Sequence, residues 1–358
     1  MRPLRALVVD DSSLNRRTIA AMLAEIDGVG QIDLAADGAE ALRLVEAAPP
    51  DFITLDLEMP RLDGFEFLHL LMDRHPIPVL VVSGRSEKEN IFRALELGAI
   101  DFLAKPHQDE APLESLRRQL IEKVGVIRQL SPLALRSDTS GGFRMDFEAR
   151  PRLAPAREPA VLKRAPSNVV VIGASTGGPK ALATLFRHLH HQMDAAIVVA
   201  QHMPPKFTRT FAERLDRIGV ARVSEARHYE RLARGYAYVC PGGQCIEIVP
   251  SDRGPALRVV APDAGTHYVP SVDRLFRSAA RVLGDKAIGV VLTGMGDDGA
   301  SGAYEISERG GEVLIEAPET AVVSGMPLAV RRTGIRHESL EIWALGDRIT
   351  ELTRTNSG

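Results

Sequence analysis

Cysteine is almost missing from this 358-residue chain: Cys240 and Cys245 are the only two. So small a supply fits a reducing compartment and excludes a disulfide framework or a cysteine-built zinc site, which leaves both as structural thiols. Long hydrophobic runs are missing as well. No stretch approaches the ~18 uncharged apolar residues of a membrane span, and the chain meets Asp10 and Asp11 too soon for a signal peptide. Nor is there a surplus of one charge. Forty-four Lys+Arg against 47 Asp+Glu leave −3 at pH 7, which argues against a nucleic-acid partner. These absences predict a soluble cytoplasmic protein with no direct membrane insertion. What is present is ordinary for a globular chain, 45% hydrophobic and 25% charged residues. At ~150 residues per domain the length predicts two domains, each able to bury a sizeable core.

Short apolar runs alternate with amphipathic stretches from the start. Leu4–Val9 reads as a strand, and Leu14, Ile19, Met22, Leu23 and Ile26 follow at roughly helical spacing up to Gly28. The alternation continues through Phe52–Leu55, a helix over Gly64–Arg74, residues 79–82, a helix over 88–97, residues 102–104 and a final helix over 113–124. Repeated βα units predict a parallel sheet covered on both faces. From about residue 125 the periodicity fades, and Pro151, Pro155, Pro159 and Pro166 stand among Arg144, Arg150, Arg152, Arg157, Lys163 and Arg164. This reads as an interdomain linker whose charge is a solvated face, with docking as the second reading. A second βα series follows in residues 169–172, 196–200, 288–292 and 313–315. Between them Tyr236–Val239 and residues 246–249 and 257–260, separated by Pro-Gly-Gly and Asp-Arg-Gly-Pro, predict an antiparallel hairpin insertion.

Ligands of open parallel sheets bind at the carboxyl ends of the strands. The first domain places Asp10 and Asp11 after its first strand, Asp56 after Phe52–Leu55, Ser83 after residues 79–82 and Lys105 after 102–104. Taken singly, an Asp or Ser there more often caps the next helix. Clustered carboxylates, however, repel one another unless a hard cation such as Mg²⁺ sits among them, and Mg²⁺, a hydroxyl and an ammonium together describe a phosphoryl site. With Asp56 as nucleophile, an aspartyl phosphate forms whose oxygens Lys105 and Ser83 can contact.

At these residues, with Asp56-Leu57-Glu58-Met59-Pro60, Asp63-Gly64 and Lys105-Pro106, residues 1–122 resemble the response-regulator receiver family. The resemblance implies a flavodoxin-like, five-stranded parallel sheet and phosphorylation of Asp56 by a histidine kinase. It also implies Mg²⁺ held by Asp11, Asp56 and the Glu58 carbonyl with Asp10 in support, a switch through Ser83 and Phe102, and a cis bond before Pro106.

In the second half, Gly173-Ala174-Ser175-Thr176-Gly177-Gly178-Pro179 satisfies G-x-S-x-G between a strand and a helix, which predicts Ser175 on a tight turn at a helix N-terminus. A P-loop fails because Pro179 stands where Lys is needed, and a dinucleotide fingerprint fails at Ser175. A serine nucleophile needs a base and a carboxylate to orient that base. Among ten histidines, His202 follows the strand at 196–200, on the edge that carries Ser175, whereas His188, His190 and His191 sit at a helix end and read as structural. The carboxylate comes from Leu292-Thr293-Gly294-Met295-Gly296-Asp297-Asp298-Gly299. The order Ser175, His202, Asp298 differs from the Ser, Asp, His order of α/β-hydrolases.

Residues 167–352 resemble the chemotaxis protein-glutamate methylesterases, the CheB family. The motifs are Gly173 to Pro179, Gln201-His202-Met203-Pro204, Pro270-Ser271-Val272-Asp273-Arg274-Leu275-Phe276, Leu292 to Gly299 and Ser324-Gly325-Met326-Pro327. The implied organisation is a receiver at 1–122, a linker at 123–167 and a Rossmann-like parallel α/β methylesterase domain at 168–352. The resemblance implies Ser175 as nucleophile, His202 as general base and acid, Asp298 as orienting carboxylate, and Thr176 and Met295 N–H groups as the oxyanion hole. It further implies a phosphorylation-activated esterase, its site covered by the unphosphorylated receiver. Such an enzyme hydrolyses glutamate γ-methyl esters on the cytoplasmic helices of chemoreceptors and deamidates their glutamines, with no cofactor for the ester chemistry. Two segments depart from the pattern: Cys245 stands where a histidine is common, and His267-Tyr268-Val269-Pro270 carries an extra residue where His-Arg-Pro is usual. Neither is expected to touch the triad, but both bear on receptor choice. A receiver-controlled esterase or binding module acting on a receptor-like protein outside flagellar chemotaxis remains the alternative.

Overall fold

The computed structural model describes residues 2–83, 88–105, 112–130, 164–191 and 193–354. Pro106 and most of the basic linker, on which two of the expectations above fall, lie outside the described residues. The chain divides into two compact units, residues 1–141 and 142–358.

In the first unit β1 (Leu4–Val9), β2 (Val29–Ala35), β3 (Phe52–Leu55), β4 (Val79–Ser83) and β5 (Asp101–Ala104) form a five-stranded parallel sheet in the order β2-β1-β3-β4-β5. The connecting helices are α1 (Ser13–Ala24), α2 (Gly38–Ala47), α3 (Gly64–Arg74) and α4 (Lys88–Glu96), and α5 (Pro112–Ile127) closes the unit. Every residue of β3 and β4 is buried, as continuous apolar runs covered on both faces must be. The periodicity reading passed over β2 and α2. β2 is an edge strand whose residues Gly30, Gln31 and Leu34 stay exposed, so its apolar signal is weak. α5 runs to Ile127, beyond the expected end at 124, with Val126 and Ile127 buried and Lys123 paired to Asp101 at 2.5 Å.

Helix caps sort the polar residues after these strands. Ser12 caps α1, Asp37 caps α2, and Asp63 accepts from the N–H groups of Phe65 and Glu66 at the start of α3. Asp10, Asp11 and Asp56 fill no such position.

The second unit has a seven-stranded parallel sheet in the order β14-β13-β12-β6-β7-β9-β8. Its strands are β6 (Asn168–Ala174), β7 (Ala195–Gln201), β8 (Arg222–Glu225), β9 (Tyr236–Val239), β12 (Ala287–Val291), β13 (Glu312–Glu316) and β14 (Glu338–Leu340). Helices α6 (Gly178–Arg187), α7 (Thr208–Ile218), α8 (Val272–Leu283), α9 (Ala300–Glu308), α10 (Gly325–Arg332) and α11 (Ile342–Leu352) pack around it. The antiparallel hairpin is a separate sheet of β10 (Cys245–Val249) and β11 (Ala256–Val260). Tyr236–Val239, expected in that insertion, instead pairs in parallel with β7 and β8. The turn that follows it reads like a hairpin loop, yet it leads the chain off the main sheet. Cys240 and Cys245 are buried free thiols, and burial pushes both up. No helix among the described residues is long and apolar enough to cross a membrane.

Strand order reverses between β6 and β12, so the crevice for a ligand opens at their carboxyl ends. Ser175 follows β6, His202 follows β7 and Asp298 lies on the loop after β12.

Candidate active site

Backbone pairing carries the sheet register past the strand ends and brings three loops together. Leu292 N–H bonds to the Gly173 carbonyl at 2.9 Å, Ser175 N–H to the Thr293 carbonyl at 3.0 Å, and His202 N–H to the Ala174 carbonyl at 3.0 Å. The turn after Ser175 needs a positive φ at Gly177, 77°, just before α6 begins. The loop after β12 approaches so closely that a Cβ at Gly294 would lie 2.7 Å from Ser175 Cβ.

His202 bridges the other two groups. Its Nδ1 lies 3.1 Å from Ser175 Oγ and its Nε2 lies 2.8 Å from Asp298 Oδ2. A proton on Nε2 satisfies the carboxylate and leaves the Nδ1 lone pair facing the hydroxyl, so the ring nitrogens exchange the roles they have in the chymotrypsin arrangement. Asp298 is 3% exposed. Besides His202 it accepts from Val272 N–H at 2.7 Å, Asp273 N–H at 2.8 Å and Ser271 Oγ at 3.4 Å, so the N-terminus of α8 holds its charge. Thr176 follows Ser175 into the helix start, and Met295 follows Gly294 on the neighbouring loop.

Three residues without a role in the sequence reading complete the setting. Gln201, buried beside His202, donates from Nε2 to the carbonyls of Ser175 at 2.9 Å and His202 at 3.0 Å, tying the two turns together. Glu316, at the end of β13, accepts from Thr293 N–H at 2.8 Å and Thr320 Oγ1 at 3.1 Å, and complete burial pushes its carboxyl up to about 7. An acid directly after an apolar strand is the signal that singled out Asp56, and it also marks Glu316. Tyr268 corrects an expectation: its segment does touch the triad, because its ring stacks on His202 with centroids 5.2 Å apart and planes 5° apart. His188 and His190 engage the Thr184 carbonyl and Asp347.

In the first unit, Asp10, Asp11 and Asp56 each offer a carboxylate oxygen within 4.8 Å of the others. Lys105 Nζ lies 2.5 Å from Asp56 Oδ2 and 3.1 Å from Asp10 Oδ2. That second contact lacks hydrogen-bond geometry, and among the described residues buried Asp10 Oδ2 accepts no hydrogen bond. Burial, with the charge of Asp10 adding to it, pushes Asp56 up to about 6 against the pull of Lys105. Lys105 itself is pulled down by burial but more strongly raised by Asp56 and Asp10. Among the described residues, three carboxylates facing the Lys105 ammonium, with Asp11 open to solvent, leave negative charge that suits a hard divalent cation. Glu58 N–H faces Asp56 at 3.5 Å, Lys105 N–H bonds to the carbonyl of buried Ser83 at 2.9 Å, and Phe102 is buried on β5.

A parallel sheet ending in a hydrogen-bonded Ser–His–Asp array, on one chain with a sheet ending in an acidic pocket and a lysine, defines a class: a hydrolase joined to a receiver. Residues 170–349 match the family model described as CheB methylesterase, and residues 6–117 that of the response regulator receiver domain. The chain is 44% identical over 354 residues, 98% of this chain and 97% of the relative, to protein-glutamate methylesterase/protein-glutamine glutaminase 1 of Myxococcus xanthus. It is also 44% identical over 361 residues, 99% and 97% of the two chains, to protein-glutamate methylesterase/protein-glutamine glutaminase 6 of Anaeromyxobacter dehalogenans. Among solved structures, the CheB methylesterase catalytic domain of Thermotoga maritima aligns with 36% identity and a TM-score of 0.50, covering 52% of this chain and 98% of that one. The chain belongs to the CheB methylesterase family.

Proposed function

We propose that this protein is a cytoplasmic, phosphorylation-activated protein-glutamate methylesterase of chemotaxis adaptation, which also deamidates receptor glutamines. The observation that carries the reading is the His202 bridge between Ser175 Oγ and the helix-held carboxylate of Asp298. Ser175 Oγ attacks the γ-carbonyl carbon of a methylated glutamate on a chemoreceptor helix and passes its proton to His202 Nδ1. The developing oxyanion is met by the N–H groups of Thr176 and Met295. His202 returns the proton to the methoxy oxygen, methanol leaves, and an acyl-Ser175 ester remains. Water, activated by the same imidazole, cleaves that ester to give glutamate and free Ser175. A glutamine side chain follows the same course and releases ammonia.

The receiver is the control element. A histidine kinase supplies the phosphoryl group to Asp56, and Lys105 and Ser83 engage its oxygens. Asp10, Asp11, Asp56 and the Glu58 carbonyl would hold Mg²⁺, which when bound neutralises the clustered charge. Phe102 and Ser83 report the change, and phosphorylation raises the rate at Ser175. The reading is tested by methanol release from methylated chemoreceptor membranes by the whole chain and by Ser175→Ala. Release lost in the variant with receptor binding retained supports it. Release undiminished in the variant, or absent in both, contradicts it.

A further inference from the structure

Resting on the reading of Ser175 and His202 as nucleophile and base, we propose that Tyr268 is a positioning residue for the base, clamping the His202 imidazole by its face. Hydrogen bonds at both ring nitrogens, to Ser175 and Asp298, define an axis through the imidazole but do not stop the ring from rocking about it. A flat neighbour within 5° of parallel, with centroids 5.2 Å apart, does stop it. The tyrosine is itself anchored, its hydroxyl donating to Asp297 Oδ1 at 3.3 Å on the loop that also carries Asp298. Room for that hydroxyl exists because position 296 is a glycine with φ 89°, where a Cβ would lie 2.3 Å from the phenol oxygen.

The same short segment holds both controls on the base. Tyr268 lies just before Ser271, Val272 and Asp273, whose donors fix Asp298. As the Ser175 proton moves to Nδ1, the ring becomes a cation stacked against the electron-rich tyrosine ring, whose hydroxyl is held by the Asp297 carboxylate. The stack therefore strengthens in the transition state and not in the bound substrate, which places its effect in kcat and not in KM.

The experiment uses the full chain and compares Tyr268→Phe and Tyr268→Leu. It reads kcat and KM for methanol release, the melting temperature, and the rate at which a fluorophosphonate labels Ser175. Tyr268→Phe keeps the ring and is expected within about threefold of the wild type. Tyr268→Leu is expected to lose about tenfold in kcat and in labelling rate, with KM and melting temperature nearly unchanged. Wild-type rates in Tyr268→Leu, a loss confined to KM, or a Tyr268→Phe as impaired as Tyr268→Leu would each overturn the clamp. Wild-type protein that hydrolyses receptor esters poorly yet labels at Ser175 would fault the substrate while leaving the labelling comparison decisive. No labelling of the wild type would remove the nucleophile and the clamp together.

Discussion

The two units place chemistry at the same address, the carboxyl edge of a parallel sheet, but they treat charge in opposite ways. At the first edge Asp10, Asp11 and Asp56 face the Lys105 ammonium, and among the described residues buried Asp10 Oδ2 accepts no hydrogen bond, whereas Asp10 Oδ1 takes the Ser12 N–H at 2.9 Å. At the second, the Asp298 carboxylate collects donors from His202, Ser271, Val272 and Asp273. On the proposed reading, a site that is to admit a cation and a phosphoryl group leaves its compensation incomplete, because the missing charge would arrive with the ligand. On the same reading, a site that is to relay a proton closes its hydrogen bonds in advance, so that little would reorganise as charge moves.

The comparison breaks most sharply at Asp298. Asp298→Asn keeps the shape but turns an amide N–H toward a donor, favouring the wrong imidazole tautomer. Its kcat is expected to fall about 10³- to 10⁴-fold with KM little changed, read by methanol release under saturating receptor.

Glu316 sharpens the contrast within the second edge, because its carboxyl is hydrogen-bonded yet fully buried. Its native pKa of about 7 stands above the ordinary 4.5. Between these values the folded protein binds more protons than the unfolded one, so the stability Glu316 contributes is complete below pH 4.5 and is lost as pH rises to about 7. Glu316→Gln removes that loss. Denaturant titrations from pH 4.5 to 7.5 are expected to show the variant gaining on the wild type by up to about 3 kcal/mol. A constant difference across the range contradicts the buried-acid account.

The smallest effect belongs to the first edge. Mg²⁺ at ten times its Kd is expected to stabilise the receiver by about 1.4 kcal/mol, so that amides of residues 8–11 and 53–57 exchange about tenfold more slowly. Asp11→Ala is expected to abolish that protection, and its persistence would move the ion elsewhere.

Much of this was legible in the sequence wherever a chemical group directly follows an apolar run. Asp10, Asp56, Lys105, Ser175 and His202 all stand there, where the sheet-edge rule singles them out from the sequence alone. β2 was not legible, since an edge strand with exposed Gly30, Gln31 and Leu34 lacks a continuous apolar signal. Nor was the placement of Tyr236–Val239, whose following turn imitates a hairpin loop. Tyr268 escaped for another reason: its stacking on His202 joins positions 66 residues apart in a segment without periodicity, and no local pattern encodes such a contact. Gln201 and Glu316 were visible as residue types at strand ends, but their roles depend on which carbonyl or N–H each meets.

On the proposed function, phosphate at the first edge governs ester cleavage at the second. Methanol release from methylated chemoreceptor membranes, with Mg²⁺ present and with or without a small-molecule phosphodonor, tests it in wild type and Asp56→Asn. Release is expected to rise with the donor in the wild type alone. An equal rise in Asp56→Asn, or a wild-type rate indifferent to the donor, would contradict it.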